Sequence, residues 1–272
     1  MKKIVVVLAV ALLFSSPRTF ATIVFSDDFN AYVNGNLAGT SQDALGQGTW
    51  RQTSTANATP IQVVNGAIAL GSSGQDVYSP LTTPTVLSDG QSIYFSLAIN
   101  VTAAQTGGDY FLHFTPNTGN SSLFYSRLFI KSVTGGFELG WLGTSGGTVL
   151  PTYGTSVLSL NSTYQVVMAY NFSATSPTNS TGAVYVNPTD PNIGNNTAYL
   201  TANWFTTATP DTNSIAAVNL RQGSASNAAT LTVDNMVVAT AFSDVVAVPE
   251  PSTFFLAGFG GLACLVALWR KR

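Results

Sequence analysis

Short runs of apolar, β-branched and aromatic residues, each closed by Gly, Asn, Pro or Ser, recur along almost the whole chain, and no window between the termini carries a helical period. Clear members of the series are residues 62–70, 92–101, 109–115, 123–132, 137–142, 164–172, 182–187, 215–221 and 230–240. A strand sends alternate side chains to opposite faces, so apolar positions two apart mark a strand with one buried face. Tyr164, Val166, Met168 and Tyr170 form such a face. In 231–237 the alternation is clear at first and then breaks near Asn235, where a bulge is expected. Many short strands with turn residues between them predict an all-β sandwich or barrel. Residues 187–197, with Pro188, Pro191 and Gly194, read as a long surface loop. Neither a repeat nor a linker divides the stretch, which predicts one domain over residues 22–243.

The two ends read as targeting segments. Lys2 and Lys3 precede an apolar run from Ile4 to Phe14, and Thr19-Phe20-Ala21 offers small residues at the third and first positions before a cut. This is the pattern of a secretory signal peptide over residues 1–21, removed after Ala21 by signal peptidase. An uncleaved anchor would need a longer run, and Pro17 and Arg18 interrupt this one. Residues 244–272 open with a short linker and carry Pro249-Glu250-Pro251, an uncharged apolar segment over residues 253–269, and Arg270-Lys271-Arg272. An apolar segment of about 17 residues is near the lower limit for a membrane-spanning helix. The basic triplet resists translocation and stays in the cytoplasm. The prolines keep the short motif extended outside the membrane. The order of motif, span and basic tail resembles the PEP-CTERM sorting signal of Gram-negative bacteria, which exosortases process. The resemblance covers residues 248–272. It implies an exported protein held first in the inner membrane and then delivered to the cell surface or the extracellular matrix.

Charge narrows the partners. Without its termini the chain keeps four basic residues, Arg51, Arg127, Lys131 and Arg221, against eleven acidic ones, a formal charge of −7. That balance excludes nucleic acid as a partner. It also argues against recognition of anionic membranes or acidic polysaccharide by net charge alone. The one cysteine, Cys264, lies in the C-terminal apolar segment, so the exported body has no disulfide and relies on a packed core.

A second resemblance concerns the body. Phe25-Ser26-Asp27-Asp28-Phe29-Asn30-Ala31-Tyr32, followed by Gly35 and Leu37, resembles the opening strand of concanavalin-A-like (laminin-G-like) jelly rolls, and residues 231–238 resemble their closing strand. The resemblance implies a jelly-roll β-sandwich whose first and last strands pair. That pairing would bring Asp27 or Asp28 near Asp234, with calcium as the one candidate cofactor; otherwise none is expected. Such folds serve sugar-binding modules, glycoside hydrolases and adhesive domains alike, so fold does not give function.

The hydrolases of this resemblance carry clustered carboxylates, typically Glu-x-Asp-x-x-Glu, because two must flank the scissile bond at roughly 5–10 Å. The body has a single glutamate, Glu138, which reads as a solvent-facing strand residue. His113, the only histidine, reads as a partly buried strand residue with a satisfied ring. There is no phosphate loop, Cys/His metal set or dinucleotide fingerprint. The expectation is a non-catalytic body. Trp204 and Tyr153 lie beside turn-rich segments and are expected as exposed platforms for sugar rings. Together these readings predict a structural, adhesive or glycan-binding component of an extracellular polysaccharide matrix. The alternatives are a carbohydrate-active enzyme using Glu138 and a nearby Asp, or a plain membrane-anchored periplasmic protein.

Overall fold

The structure, a computed structural model, describes residues 22–53, 59–119, 123–144, 149–175, 179–204 and 211–246. The expected leader, residues 1–21, and the sorting segment from residue 247, Cys264 included, lie outside the described residues. Among those described, no helix is long and apolar enough to cross a membrane.

The described strands are, in chain order, β1 (Ile23–Asp27), β2 (Gly35–Asn36), β3 (Arg51–Gln52), β4 (Gln62–Val64), β5 (Ala67–Leu70), β6 (Asp76–Val86), β7 (Ser92–Ala103) and β8 (Asp109–Thr115). They continue with β9 (Tyr125–Val133), β10 (Gly136–Leu142), β11 (Thr152–Tyr153), β12 (Thr163–Asn171), β13 (Thr181–Val186), β14 (Leu200–Asn203), β15 (Ser214–Arg221) and β16 (Thr230–Ala239). They form two antiparallel sheets. One runs β14-β13-β12-β7-β16-β5-β4-β2, with β1 also on β16; the other runs β11-β10-β9-β8-β15-β6-β3. This is the jelly-roll β-sandwich expected from the sequence, with first and last strands paired, Ser26 opposite Val237.

The sheets face each other across one core. Val166, Met168 and Tyr170 of β12 are fully buried, as their spacing predicts. Phe95 of β7 meets Phe114 of β8 edge to face at 5.8 Å. Trp141 of β10 lies flat against Gly182 of the opposing β13, where a Cβ would come within 2.2 Å of the indole. The bulge expected near Asn235 is present: the β16–β7 register shifts between Asp234 and Val237, and Asn235 has φ of 50°.

After β16 the chain crosses to the outer face of the nine-stranded sheet. There Phe242, Val245 and Val246 are buried against Val167, Ala183 and Tyr185. Residues 244–246, expected as the start of a free linker, are therefore docked. The sequence reading missed this because it did not allow the outer face of that sheet to be apolar in its own right.

Candidate functional site

The outer face of the seven-stranded sheet collects the body's cations. Arg51 stands on β3, Arg127 and Lys131 on β9, and Arg221 on β15. Two bulges arrange this. In β9, Tyr125 and Ser126 both turn inward, Ser126 with φ of 49°, so that Arg127 emerges on the outer face while Leu128 returns to the core. In β8 the register shifts between Tyr110 and Leu112: Phe111 and Leu112 both join the core, and Tyr110 and His113 both stay outside. Bulges of this kind re-aim side chains that strict alternation would misplace.

The cations differ in their partners. Arg221 Nη1 lies 2.7 Å from Asp109 Oδ1 and its Nε 3.8 Å from Asp76 Oδ2. Lys131 pairs with Glu138 at 3.4 Å and stands 4.1 Å from the centre of the Tyr153 ring. Arg51 donates to the Asp43 carbonyl at 2.9 Å. Arg127 has no carboxylate partner among the described residues. Its guanidinium sits 5.1 Å from the Tyr110 ring centre and 5.5 Å from that of Phe129, and one terminal nitrogen donates to the Thr144 carbonyl. Its Nε is buried with no hydrogen-bond partner.

His113 lies beside it, 4% exposed, its ring 4.7 Å from Phe124 and 5.5 Å from Tyr110. Its Nδ1 is also buried without a partner, which corrects the expectation of a satisfied ring. Two orphaned polar atoms on one face are exceptional, since buried polar groups are nearly always paired. Burial first, then the positive charges of Arg221 and Arg127, push the imidazole pKa down to about 3, so His113 is neutral at physiological pH. Burial also lowers the Arg127 pKa and raises that of Tyr110. Asp76 is raised to about 6, again chiefly by burial, which outweighs the opposing charge of Arg221.

The sign of the histidine shift gives a prediction. A group whose pKa is depressed on folding contributes stability above its unfolded pKa, near 6.5, that is lost as pH falls toward the folded value. The body is therefore expected to melt at lower temperature as pH drops from about 7 to 4. Asp76 acts in the opposite sense, its contribution being full below its ordinary pKa and lost as pH rises through about 6. Thermal melts of His113→Asn isolate the histidine, and an unchanged pH slope in that variant would refute the assignment.

The other expected site residues fall elsewhere. Asp27 accepts from Phe29 N at 3.0 Å, Tyr32 Oη at 2.6 Å and Trp50 Nε1 at 2.8 Å. Asp28 accepts from Asn30 N at 3.2 Å and Asp234 from Asn235 N at 2.7 Å. Burial, with lesser contributions from the charges of Asp28 and Asp27, holds the Asp234 carboxyl above its usual range. Among the described residues, no three His, Cys, Asp or Glu side chains form a group able to hold a metal ion.

Trp204, expected as an exposed platform, is 4% exposed and stacks on Tyr125 at 5.6 Å. The turn-rich sequence around it misled: Gly143 leaves room for the indole to enter the sandwich, where a Cβ would approach it to 2.3 Å. Tyr153 is half-buried and belongs to the cationic face through Lys131. Glu138 lies on the same face but is engaged by Lys131 rather than free in solvent.

Comparison with known proteins addresses the ends and the fold. Residues 247–272 match the family model of the PEP-CTERM protein-sorting motif. That match implies an exported chain with a membrane-anchored intermediate and exosortase processing, and it covers Pro249, Glu250, Pro251 and the basic residues Arg270, Lys271 and Arg272. No curated protein matches the sequence. Solved structures similar to the chain include the alginate lyase Aly36B, at 16% identity over 78% of this chain and 95% of that one, with a TM-score of 0.46. The carbohydrate recognition domain of Emp47p is 11% identical over 83% and 99%, with a TM-score of 0.47. An endo-1,3-β-glucanase from Streptomyces sioyaensis is 12% identical over 82% and 98%, with a TM-score of 0.44. The expectation of a non-catalytic body is corrected at this point. Chains similar to it include a lyase and a glucanase beside a recognition domain.

Proposed function

We propose that the exported body engages an acidic polysaccharide of the extracellular matrix on the outer face of its seven-stranded sheet, with Arg127 receiving a uronate carboxylate. The observation that carries this reading is Arg127 itself: a guanidinium partly withdrawn from water over two aromatic rings, with no carboxylate partner among the described residues and one orphaned nitrogen. A planar guanidinium fork matches a carboxylate in two parallel hydrogen bonds. An arriving carboxylate offsets a desolvation cost that the folded protein otherwise leaves uncompensated. Net charge misleads here. The body is acidic as a whole, yet its four cations share one sheet, and three of them, Arg127, Lys131 and Arg221, stand on the strands that flank β8.

A second reading is supported by His113. Once Arg127 neutralises a uronate carboxylate, the carbon-bound hydrogen beside that carboxylate becomes more acidic. The arriving negative charge also offsets the Arg221 and Arg127 charges that help depress the imidazole; its nitrogen can then take that proton, the electron pair forms a carbon–carbon double bond, and the glycosidic oxygen leaves from the adjacent carbon with a proton from water. The same face would then cut as well as bind.

Calorimetry of residues 22–246 with a soluble polyuronate, and with a neutral β-glucan as control, tests the first reading. Saturable polyuronate binding that weakens with added salt is expected. Binding to the neutral glucan alone would overturn it. Ultraviolet absorbance of unsaturated uronate ends, followed in the same mixtures, tests the second.

A further inference from the structure

The segment that leads to the sorting motif is not a slack tether. Phe242 packs edge to face on Tyr94 at 5.5 Å and on Tyr185 at 5.2 Å. Val245 and Val246 are buried beside it, and Gln165 Nε2 donates to the Val245 carbonyl at 3.0 Å. The backbone closes into a short 3-10 turn over Phe242–Asp244, with Val246 N donating to Phe242 O at 3.3 Å. A groove lined by Ser96, Gln165 and Asn235 runs along one side, so the segment lies across the sheet as a strap and is not woven into it. Among the described residues, no strand pairs with it.

Val246, docked and the last of the described residues, stands only three positions before Pro249. Three residues of extended chain reach about 11 Å at most. A membrane-embedded processing enzyme must draw the Pro-Glu-Pro motif into its own site as an extended segment, and the docked residues end within that short reach of it in sequence. Release of the strap as far as Thr240 lengthens the free chain before the motif to about 30 Å. A short surface segment held by a few side chains and one polar contact is the kind of element that opens locally without unfolding the rest.

We propose that the docked strap, residues 242–246, gates exosortase processing: the motif becomes cleavable when the strap peels from the outer face of the nine-stranded sheet. The strap is thus a reversible latch between a folded, membrane-held precursor and the released protein.

Pulse-chase labelling of the full chain in exosortase-producing cells tests this with two variants. Phe242→Ala weakens docking. A flexible Gly-Ser insertion of about ten residues between Val246 and Ala247 adds roughly 30 Å of reach and leaves the body untouched. Both are expected to shorten the half-time of conversion to the mature form several-fold. The insertion keeps the test valid if Phe242→Ala fails to fold. Parental kinetics in both variants would overturn the proposal. Slower processing of the insertion would also overturn it, showing that the enzyme reads the body together with the motif. Acceleration by the insertion alone, with Phe242→Ala folded and processed at the parental rate, would assign the limit to spacing and not to docking, and would overturn it as well.

Discussion

Replacing Arg127 by alanine is expected to abolish measurable polyuronate binding while leaving the sandwich folded. The side chain meets the ligand through charge-assisted hydrogen bonds in a half-buried setting, where loss of one partner of such a pair costs about 2–5 kcal/mol, a weakening of thirtyfold or more. Stability responds far less. Arg127 spends part of its surface on the Tyr110 and Phe129 rings and makes one hydrogen bond to the Thr144 carbonyl, but it also carries a buried nitrogen without a partner. Removing an orphaned group relieves a cost as it forfeits packing. Arg127→Lys supplies the charge without the planar fork and is expected to fall between the two, with stronger salt dependence than the parent. Arg51→Ala is the matched control: the same charge is removed from the same sheet, but from a position outside the Tyr110–His113 cluster. Calorimetry at two ionic strengths separates the cases. Equal losses in Arg51→Ala and Arg127→Ala would mean that the face attracts anions diffusely and that Arg127 has no special role.

Much of the architecture was legible in residue patterns, and the reason is physical. The face formed by Val166, Met168 and Tyr170 follows from the two-residue period of a strand, and burial enforces that period wherever one face meets a core. The pairing of first and last strands was available from the resemblance of residues 25–32 and 231–238. The site was less legible because it depends on departures from the period. In Tyr125-Ser126-Arg127-Leu128, strict alternation puts Arg127 on the same face as Tyr125, which is core; only the positive φ at Ser126 sends the two residues to opposite faces. Tyr110 and His113 are three apart, a spacing that places them on opposite faces of an unbroken strand, and the β8 bulge brings them together. A cue was present in composition. Three of the body's four basic residues fall in short windows that also hold strand patterns, residues 123–132 and 215–221, and charged residues inside strands need a shared exterior face. Trp204 failed for the complementary reason: neighbouring turn residues indicate where the backbone bends, not whether a large ring points into the space that a distant Gly143 leaves open.

Trp141→Ala is expected to be the most destabilising single substitution among those considered, and to weaken ligand binding from the far side of the sheet. The indole is fully buried, its Nε1 donates to Ser126 Oγ at 2.8 Å, and its ring lies on Gly182 of the opposing sheet. Truncating a buried tryptophan costs about 3–5 kcal/mol through lost contacts and the cavity left behind. The Ser126 hydroxyl, left with only its weak donation to Met168 Sδ at 3.6 Å, adds roughly 1 kcal/mol. Against a typical total of about 5–15 kcal/mol, and with no disulfide in the body to limit the unfolded chain, the variant should melt at least ~10 °C below the parent. The link to the ligand runs through Ser126, whose left-handed backbone conformation forms the bulge that sends Arg127 outward. Trp141→Phe separates the two roles. It keeps most of the ring volume, so the melting temperature should fall by less than half as much, yet it removes the donor that holds the Ser126 hydroxyl, so polyuronate affinity should drop more than stability does. Gly182→Val tests the packing from the opposite sheet, because its Cβ would stand 2.2 Å from the Trp141 ring and neither backbone can withdraw without breaking ladder hydrogen bonds. If Gly182→Val melts within a few degrees of the parent, the indole does not lie where this account requires. The bulge that presents Arg127 would then need a different support.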